Sequence, residues 1–468
     1  MKKLYRFSAI ALLVLPLVFT SCSDYLDRDD DDNITEADVF ARYEKVNGLV
    51  SDVYAAAKKA DRPLVFFEHF SNSAITDECE GTNVEGNITN NFNNGAWNPN
   101  SLPGSVGQYW EALYEGIRKA NLIIENVQKY NTPDNPQQDG DLRNRIGEMY
   151  FMRGYFHMLL LRMYGEAPYI DRVINAGDNM DFKKESVHSM VEKIVTDAQT
   201  AYGMVPNKYV KTSENFGRVD KGACLGLISF VRWVAATPLW NGASQYGYNL
   251  RRVFENEYAY DATRWRKAKE AAKAVLDFEV GGTKRYSLYT KHDANDFKDP
   301  ADGNLNDSRV YARLWDMFYD MDAFANEYVF FMTKSKDQAW QGDIYPPSRE
   351  GSSRQQPVQE QVDEYEYIVG DYGYPVYSAE ARKGGYDDTN PYVKGTRDPR
   401  FYRDVIYHGA PYRNNKNESK TINTASGSDK IGATNATTTG YYLRKFQQES
   451  WNKSGNFSIN APAIWRLP

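Results

Sequence analysis

Cys22 is the residue whose neighbours prescribe its chemistry most narrowly. Lys2, Lys3 and Arg6 precede an apolar run from Ala9 to Phe19, and Thr20-Ser21 then lead into the cysteine. A basic head, an apolar body and a cysteine after small residues form the pattern of a bacterial lipoprotein leader. In that reading residues 1–21 are removed and the Cys22 thiol is acylated. The run has eleven residues and contains Pro16, whereas a span needs roughly twenty apolar residues, so it is signal core rather than a transmembrane helix. Each buried acyl methylene contributes about 0.8 kcal/mol, and more than one chain gives stable anchoring. The stretch from Asp24 to Asp32 is strongly acidic, and residues 22–45 read as a solvated tether.

The remaining reactive side chains form no catalytic pattern. Two carboxylates about 5–9.5 Å apart suffice for some hydrolases, and 63 acidic residues leave such a pair open on count alone. There is, however, no H-E-x-x-H and no G-x-S-x-G, and His69, His157, His188, His292 and His408 are scattered without ligand spacing. The expectation is a non-enzymatic protein that needs no cofactor. Asp293, Asp296, Asp299, Asp302 and Asp307 surround Gly303, but Lys298 and Pro300 stand where a calcium hand requires ligands, so this reads as a solvated loop. Cys79 and Cys224 belong to no C-x-x-C or zinc spacing, and an unpaired state is expected. The formal charge of −7 falls to about −10 when Lys2, Lys3 and Arg6 leave with the leader. A chain this acidic is a poor partner for nucleic acid.

Aromatic residues are abundant, with 35 Tyr and 9 Trp. On a hydrophilic chain they either fill cores or form exposed stacking platforms. Trp97 lies in Gly95-Ala96-Trp97-Asn98-Pro99-Asn100, inside an Asn-rich stretch, and Trp340 lies in the polar segment Asp337 to Asp343. Both read as exposed. Asn98 and Asn100 add side chains that donate and accept together. Tyr345 and Trp315 are further candidates, although Trp315 also fits a helix face with Phe318. Trp110, Trp233 and Trp265 fall on helical stripes and are expected in the core.

The first half must be helical to position these groups. Trp110, Leu113, Tyr114, Ile117, Ala120, Ile124 and Val127 recur at three- and four-residue steps, and so do Ile146, Met149, Tyr150, Phe156, Leu160 and Tyr164. The second stripe stops at Gly165, with Pro168 beyond. A third runs from Val187 to Tyr202 behind Ser186 as cap, a fourth from Asp220 to Ala236, and a fifth from Trp265 to Phe278. Gly222, Ala223 and Gly226 permit close helix approach. Asn83–Asn100 and Asn414–Gly440 have no helical period. From about Arg285 onward only short strand-like pieces such as Tyr328–Met332 interrupt turn formers. The expected fold is mainly α: tetratricopeptide-like helical hairpins with long loops and a few short strands. The expected boundaries are 46–284 for the scaffold, with an Asn-rich loop at 83–101, and 285–468 for a loop-rich ligand-binding region.

These features in this order resemble the SusD/RagB family of surface nutrient-binding lipoproteins. The resemblance rests on Ser21-Cys22 with Tyr25-Leu26-Asp27, on Tyr109 to Tyr114 with Asn121, and on Glu148 to Tyr164 with Arg153-Gly154-Tyr155. It continues through Ile194, Asp197, Ala201 and Pro206, then Gly217-Arg218-Val219, Asn326-Glu327 before the strand, and Arg397-Asp398-Pro399-Arg400-Phe401. Such proteins continue past a segment like Ile464–Pro468 into further scaffold helices. A chain stopping there is expected to be truncated and to leave apolar scaffold exposed.

The resemblance implies a role at the outer membrane: capturing glycan on the cell surface and passing it to a SusC-like TonB-dependent transporter. It places Trp97, with Asn98 and Asn100, where a stacking tryptophan and its asparagine would meet sugar. Trp340, Tyr345 and Trp315 are weaker glycan contacts. Asp77 and Glu78 read first as a structural cap and second as acceptors for hydroxyls. The RagB branch makes peptide cargo the alternative.

Overall fold

The computed structural model describes residues 34–60, 71–81, 88–98, 100, 104–130, 136–209, 215–242, 255–289, 326–331, 342–393, 395–413, 419–445 and 463–466. Cys22, Trp315, Trp340 and the Asp293–Asp307 loop lie outside these residues. The helices of the first half are α1 (Glu36–Phe40), α2 (Tyr43–Ala60), α3 (Ile88–Asn93), α4 (Gly104–Tyr130), α5 (Pro136–Tyr164), α6 (Val187–Met204), α7 (Lys221–Ala236) and α8 (Ala262–Asp277). Local chemistry sets their starts. Ser186 accepts from the Ser189 amide at 3.1 Å, Asp220 from the Ala223 amide at 3.1 Å, and Asp261 from the Thr263 amide at 2.8 Å. Each side chain satisfies an amide that the first helical turn leaves unpaired.

Consecutive helices α4 to α8 each pack on the next; only five residues join α4 to α5, and longer segments make the other connections. The α5 helix is the exception to simple amphipathicity. Phe151, Met152, Tyr155, Phe156, Met158, Leu159, Leu160 and Leu161 are all buried, so this segment is covered all round and forms the middle of the stack. Close approach at Gly222 serves a loop rather than a helix. A Cβ there would lie 1.8 Å from the Tyr286 hydroxyl, in the segment after α8.

Two buried polar knots tie the scaffold. Arg153 pairs with Asp197 through two bonds of 2.7 and 2.5 Å, and donates to Asn121 Oδ1 at 2.9 Å and the Asp171 carbonyl at 2.8 Å. Tyr169 also donates to Asp197, at 2.7 Å. His157 donates through Nδ1 to the Arg153 carbonyl and accepts the Ile170 amide on Nε2, which fixes a neutral tautomer. Burial pulls its imidazole down to about 3, and the nearby Arg153 and Lys193 charges act in the same direction. In the second knot, Glu148 accepts from Tyr54 at 2.9 Å, Tyr209 at 2.6 Å, Arg145 at 2.8 Å, and Arg218 at 2.6 and 3.1 Å. Burial pushes the Glu148 carboxyl up to about 7 against the pull of Arg145.

The loop-rich half has a core of its own. Ile344, Tyr345, Val362, Phe401, Val405, Ile406, Tyr407, Tyr412, Ile422, Tyr441 and Tyr442 form one buried cluster. Its elements are short: β3 (Tyr328–Phe331), β4 (Gln355–Pro357), β5 (Tyr367–Val369) and β6 (Tyr372–Tyr374), with α9 (Gln359–Asp363), α10 (Ala379–Lys383) and α11 (Pro399–Asp404); β1 (Ile75–Thr76) and β2 (Cys79–Gly81) come from the N-terminal half. Strands β1, β2 and β4 form an antiparallel sheet in that order, with Cys79 opposite Pro357 and Gly81 opposite Gln355. This sheet stitches the N-terminal half to the loop-rich half. The β3 strand pairs with Ala463–Arg466 and places Phe330 against Phe151 and Tyr155 of α5. In the Asp-Pro-Arg element Asp398 caps α11 and Pro399 opens it, where the missing proline amide costs nothing.

Two tryptophans depart from the core expectation. Trp233 and Trp265 are 51% and 43% exposed. With Phe230, Ala268, Lys269, Ala272, Val275 and Val329 they line an open apolar groove of about 480 Å³ along α7 and α8. Cys79 and Cys224 are both buried and unpaired, and burial pushes the Cys79 thiol up to about 12.

Candidate functional site

Trp97 is presented by a helix ending. The Asn83–Asn100 stretch, expected to be irregular, contains α3, which closes at Gly95 with φ +68°. The Gly95 amide bonds the Phe92 carbonyl at 3.0 Å and the Ala96 amide bonds the Asn91 carbonyl at 2.9 Å. This left-handed glycine cap reverses the chain. Trp97 therefore returns onto the helix it has just left and stacks on Phe92, with ring centroids 5.1 Å apart and planes 25° apart. Trp97 as a whole stays 40% exposed. A large flat ring held by a stack and partly exposed suits stacking with a second flat apolar surface.

The supports beneath it are specific. Phe92 packs on a small cluster of Ala74, Cys79 and Val106 with Ile75 and Ile88. Asn93 donates to the Ala74 carbonyl at 3.2 Å and ties α3 to the β1–β2 hairpin. Asn98 accepts the Asn100 amide on Oδ1 at 3.0 Å, forming a local turn. That use consumes part of its acceptor capacity and leaves its amide NH2 as the group available to a ligand. Asn100 is exposed. Glu78 accepts from Ser73 Oγ at 2.9 Å, and its amide donates to Thr76 Oγ1 at 3.2 Å. Asp77 is exposed at the turn between the two strands.

Tyr345 corrects the sequence reading. It has no exposed surface and lies inside the loop-rich core, edge-on to Tyr412 and under the Arg349 guanidinium at 4.7 Å. Its flat face is used for packing and is not open to a ligand. Of the remaining candidates, Trp97, Asn98 and Asn100 come together in one loop, while Trp315 and Trp340 fall outside the described residues. Sequence reasoning missed Phe92, the ring under Trp97. Its signal was the Asn94-Gly95 dipeptide, which marks a chain reversal. It also missed two exposed tyrosines, Tyr372 at 70% and Tyr377 at 55%. Among the described residues no helix is long and apolar enough to cross a membrane.

A family profile described as "Starch-binding associating with outer membrane" matches residues 24–231, and one described as "SusD family" matches residues 314–467. The chain belongs to the SusD/RagB family. A curated relative, SusD-like protein P2 from Formosa agariphila, is 24% identical over 202 residues, spanning 42% of this chain and 38% of that protein's length. The fold is shared with solved SusD-like proteins. One from Bacteroides fragilis superposes with a TM-score of 0.66 at 18% identity, covering 92% of this chain and 73% of that one. A second from the same organism, described as a SusD-like carbohydrate-binding protein, gives 0.65 at 14% identity, covering 92% and 72%.

Proposed function

We propose that this SusD/RagB protein binds glycan at the cell surface through Trp97 and hands it to a SusC-like TonB-dependent transporter. The observation that carries the binding step is the Trp97–Phe92 stack, an exposed indole immobilised from below. Fixing the ring beforehand lowers the entropy lost when a sugar ring stacks on it. Asn98 and Asn100 supply hydrogen-bonding groups at its edge, and the loop-rich region 285–468 supplies the rest of the ligand face. Trp340 and Trp315 are candidates within that region. Acylated Cys22 and the acidic tether hold the protein to the outer membrane, consistent with the outer-membrane association of the family.

The test is affinity electrophoresis of residues 23–468 in gels containing single polysaccharides of plant, host or microbial origin. Retardation by one glycan class, abolished by Trp97→Ala with the helical circular dichroism intact, is the expected result. A folded protein that no glycan retards, but that binds peptides, contradicts it.

A further inference from the structure

Tyr377 has the same design as Trp97: an exposed ring whose position is fixed by its surroundings. It lies between β6 and α10 and is 55% exposed. Its hydroxyl donates to Asp363 Oδ1 at 3.2 Å, and its ring sits edge-on to Tyr386 at 6.0 Å and 86°. Tyr386 is buried and in turn stands edge-on to Tyr367 at 5.5 Å. Asp363 also accepts from Gln359 Nε2 at 2.8 Å, and Gln359 Oε1 accepts from Tyr441 at 2.6 Å. Each polar group beside the Tyr377 ring is therefore held in place before any ligand arrives.

A continuous run of contacts joins this ring to the Trp97 loop. Gln359 opens α9 two residues after β4, and β4 pairs with β2. The Val358 amide donates to the Glu78 carbonyl at 3.4 Å. Glu78 is bonded by Ser73, and the neighbouring Ala74 carbonyl accepts from Asn93 at the end of α3. The three strands of this sheet span roughly 10 Å. Along this run of contacts Thr76, Asp77, Glu78 and Gln359 are exposed. Rings at both ends of the run and carboxylate, hydroxyl and amide groups along it match a sugar chain, which presents apolar ring faces and hydroxyl edges in turn.

We infer that the ligand face runs from Trp97 across the β1–β2 turn to Tyr377, so that the preferred ligand is an extended glycan chain that engages both rings. The inference rests on glycan binding at Trp97 and adds a second contact that sets chain length. Two linked contacts on one chain reinforce each other only when the chain is long enough to span them.

The experiment uses a glycan that retains the wild-type protein, both as polymer and as size-fractionated oligosaccharides, with affinities measured by calorimetry. Tyr377→Ala is expected to weaken polymer binding about tenfold while short oligosaccharides bind as they do to wild type. Trp97→Ala is expected to weaken both. Tyr377→Leu, which keeps the bulk but removes the flat face, repeats the test if the alanine variant fails to fold. Tyr372→Ala, at an exposed tyrosine that none of these contacts includes, serves as control and is expected to bind both ligands normally. Full polymer affinity in Tyr377→Ala and Tyr377→Leu, with loss in Trp97→Ala, overturns the extended path and leaves the Trp97 site standing. Full polymer affinity in Trp97→Ala removes that site, and the path with it.

Discussion

The helical scaffold and the loop-rich half differ in what their buried polar side chains mostly bond: side chains in the first, backbone in much of the second, where Arg403 and Asp404 nevertheless form a buried pair. In the scaffold the buried charges are met chiefly by other side chains: Arg153 by Asp197 and Asn121, with the Asp171 carbonyl as a further acceptor, and Glu148 by two arginines and two tyrosines. In the loop-rich half the backbone is left over. Arg397, 2% exposed, bonds the carbonyls of Val362 at 2.6 Å and Tyr365 at 2.7 and 2.9 Å, and lies over the Phe401 ring at 4.9 Å. Gln356, fully buried, donates to the Ser353 carbonyl and accepts from Thr437 and Thr438. Loops can be packed only if something takes up their unpaired carbonyls and amides, and here long polar side chains do so. The scaffold thus has few groups to spare for a ligand, while the loops hold flat rings and polar groups at the surface.

The largest effects should come from breaking the scaffold knots. Asp197→Ala leaves Arg153 buried without its counter-charge and should cost about 3–5 kcal/mol, read as a fall in the urea midpoint at unchanged slope. Arg397→Met is expected to cost less, about 2–3 kcal/mol, with the helical signal at 222 nm retained through the first loss of tyrosine near-ultraviolet signal. An equal loss in both variants with one shared transition would show that the two halves follow one rule.

Acid should strike the scaffold through His157. Its folded value near 3 lies below the ordinary 6.5, so the unfolded chain takes a proton that the folded chain refuses. The contribution is complete above pH 6.5 and is lost as pH falls toward 3, by up to about 1.4 kcal/mol per unit. Glu148 acts in the opposite sense: its raised value near 7 makes its contribution full below about 4.5 and lost as pH rises through 7. The readout is therefore the difference between wild type and His157→Gln, whose amide can keep both hydrogen bonds. The variant should lose less stability than wild type between pH 6.5 and 4.5. Parallel curves would contradict a buried neutral histidine. The smallest effect is expected at Trp233→Ser, below about 1 kcal/mol, because the indole is half exposed, where a fully buried tryptophan would cost about 3–5.

What the chain discloses in advance divides along the same line. The scaffold helices and the cap at Ser186 are legible because periodicity and capping are local, whereas Asp220, read as the start of its helix, proves to be the cap before it. The exposure of Trp233 and Trp265 is not, since a stripe shows which side of a helix is apolar but not whether anything covers it. Tyr345 fails for a related reason. A tyrosine among polar loop residues looks exposed until Tyr412, far along the chain, and Arg349, one turn on, close over it. The α3 helix was hidden by its asparagines, which have poor helix propensity. Trp97 was legible as an exposed ring because its Asn-Gly turn and polar neighbours are contiguous, but its partner Phe92 depends on the geometry of the cap.

The central claim, that the loops bind while the helices support, is tested most directly by hydrogen exchange with and without the retained glycan. The account predicts new protection at 71–81, 88–100 and 355–378, with α5 and α6 unchanged. Protection confined to the scaffold helices, with these loops unaffected, would contradict it.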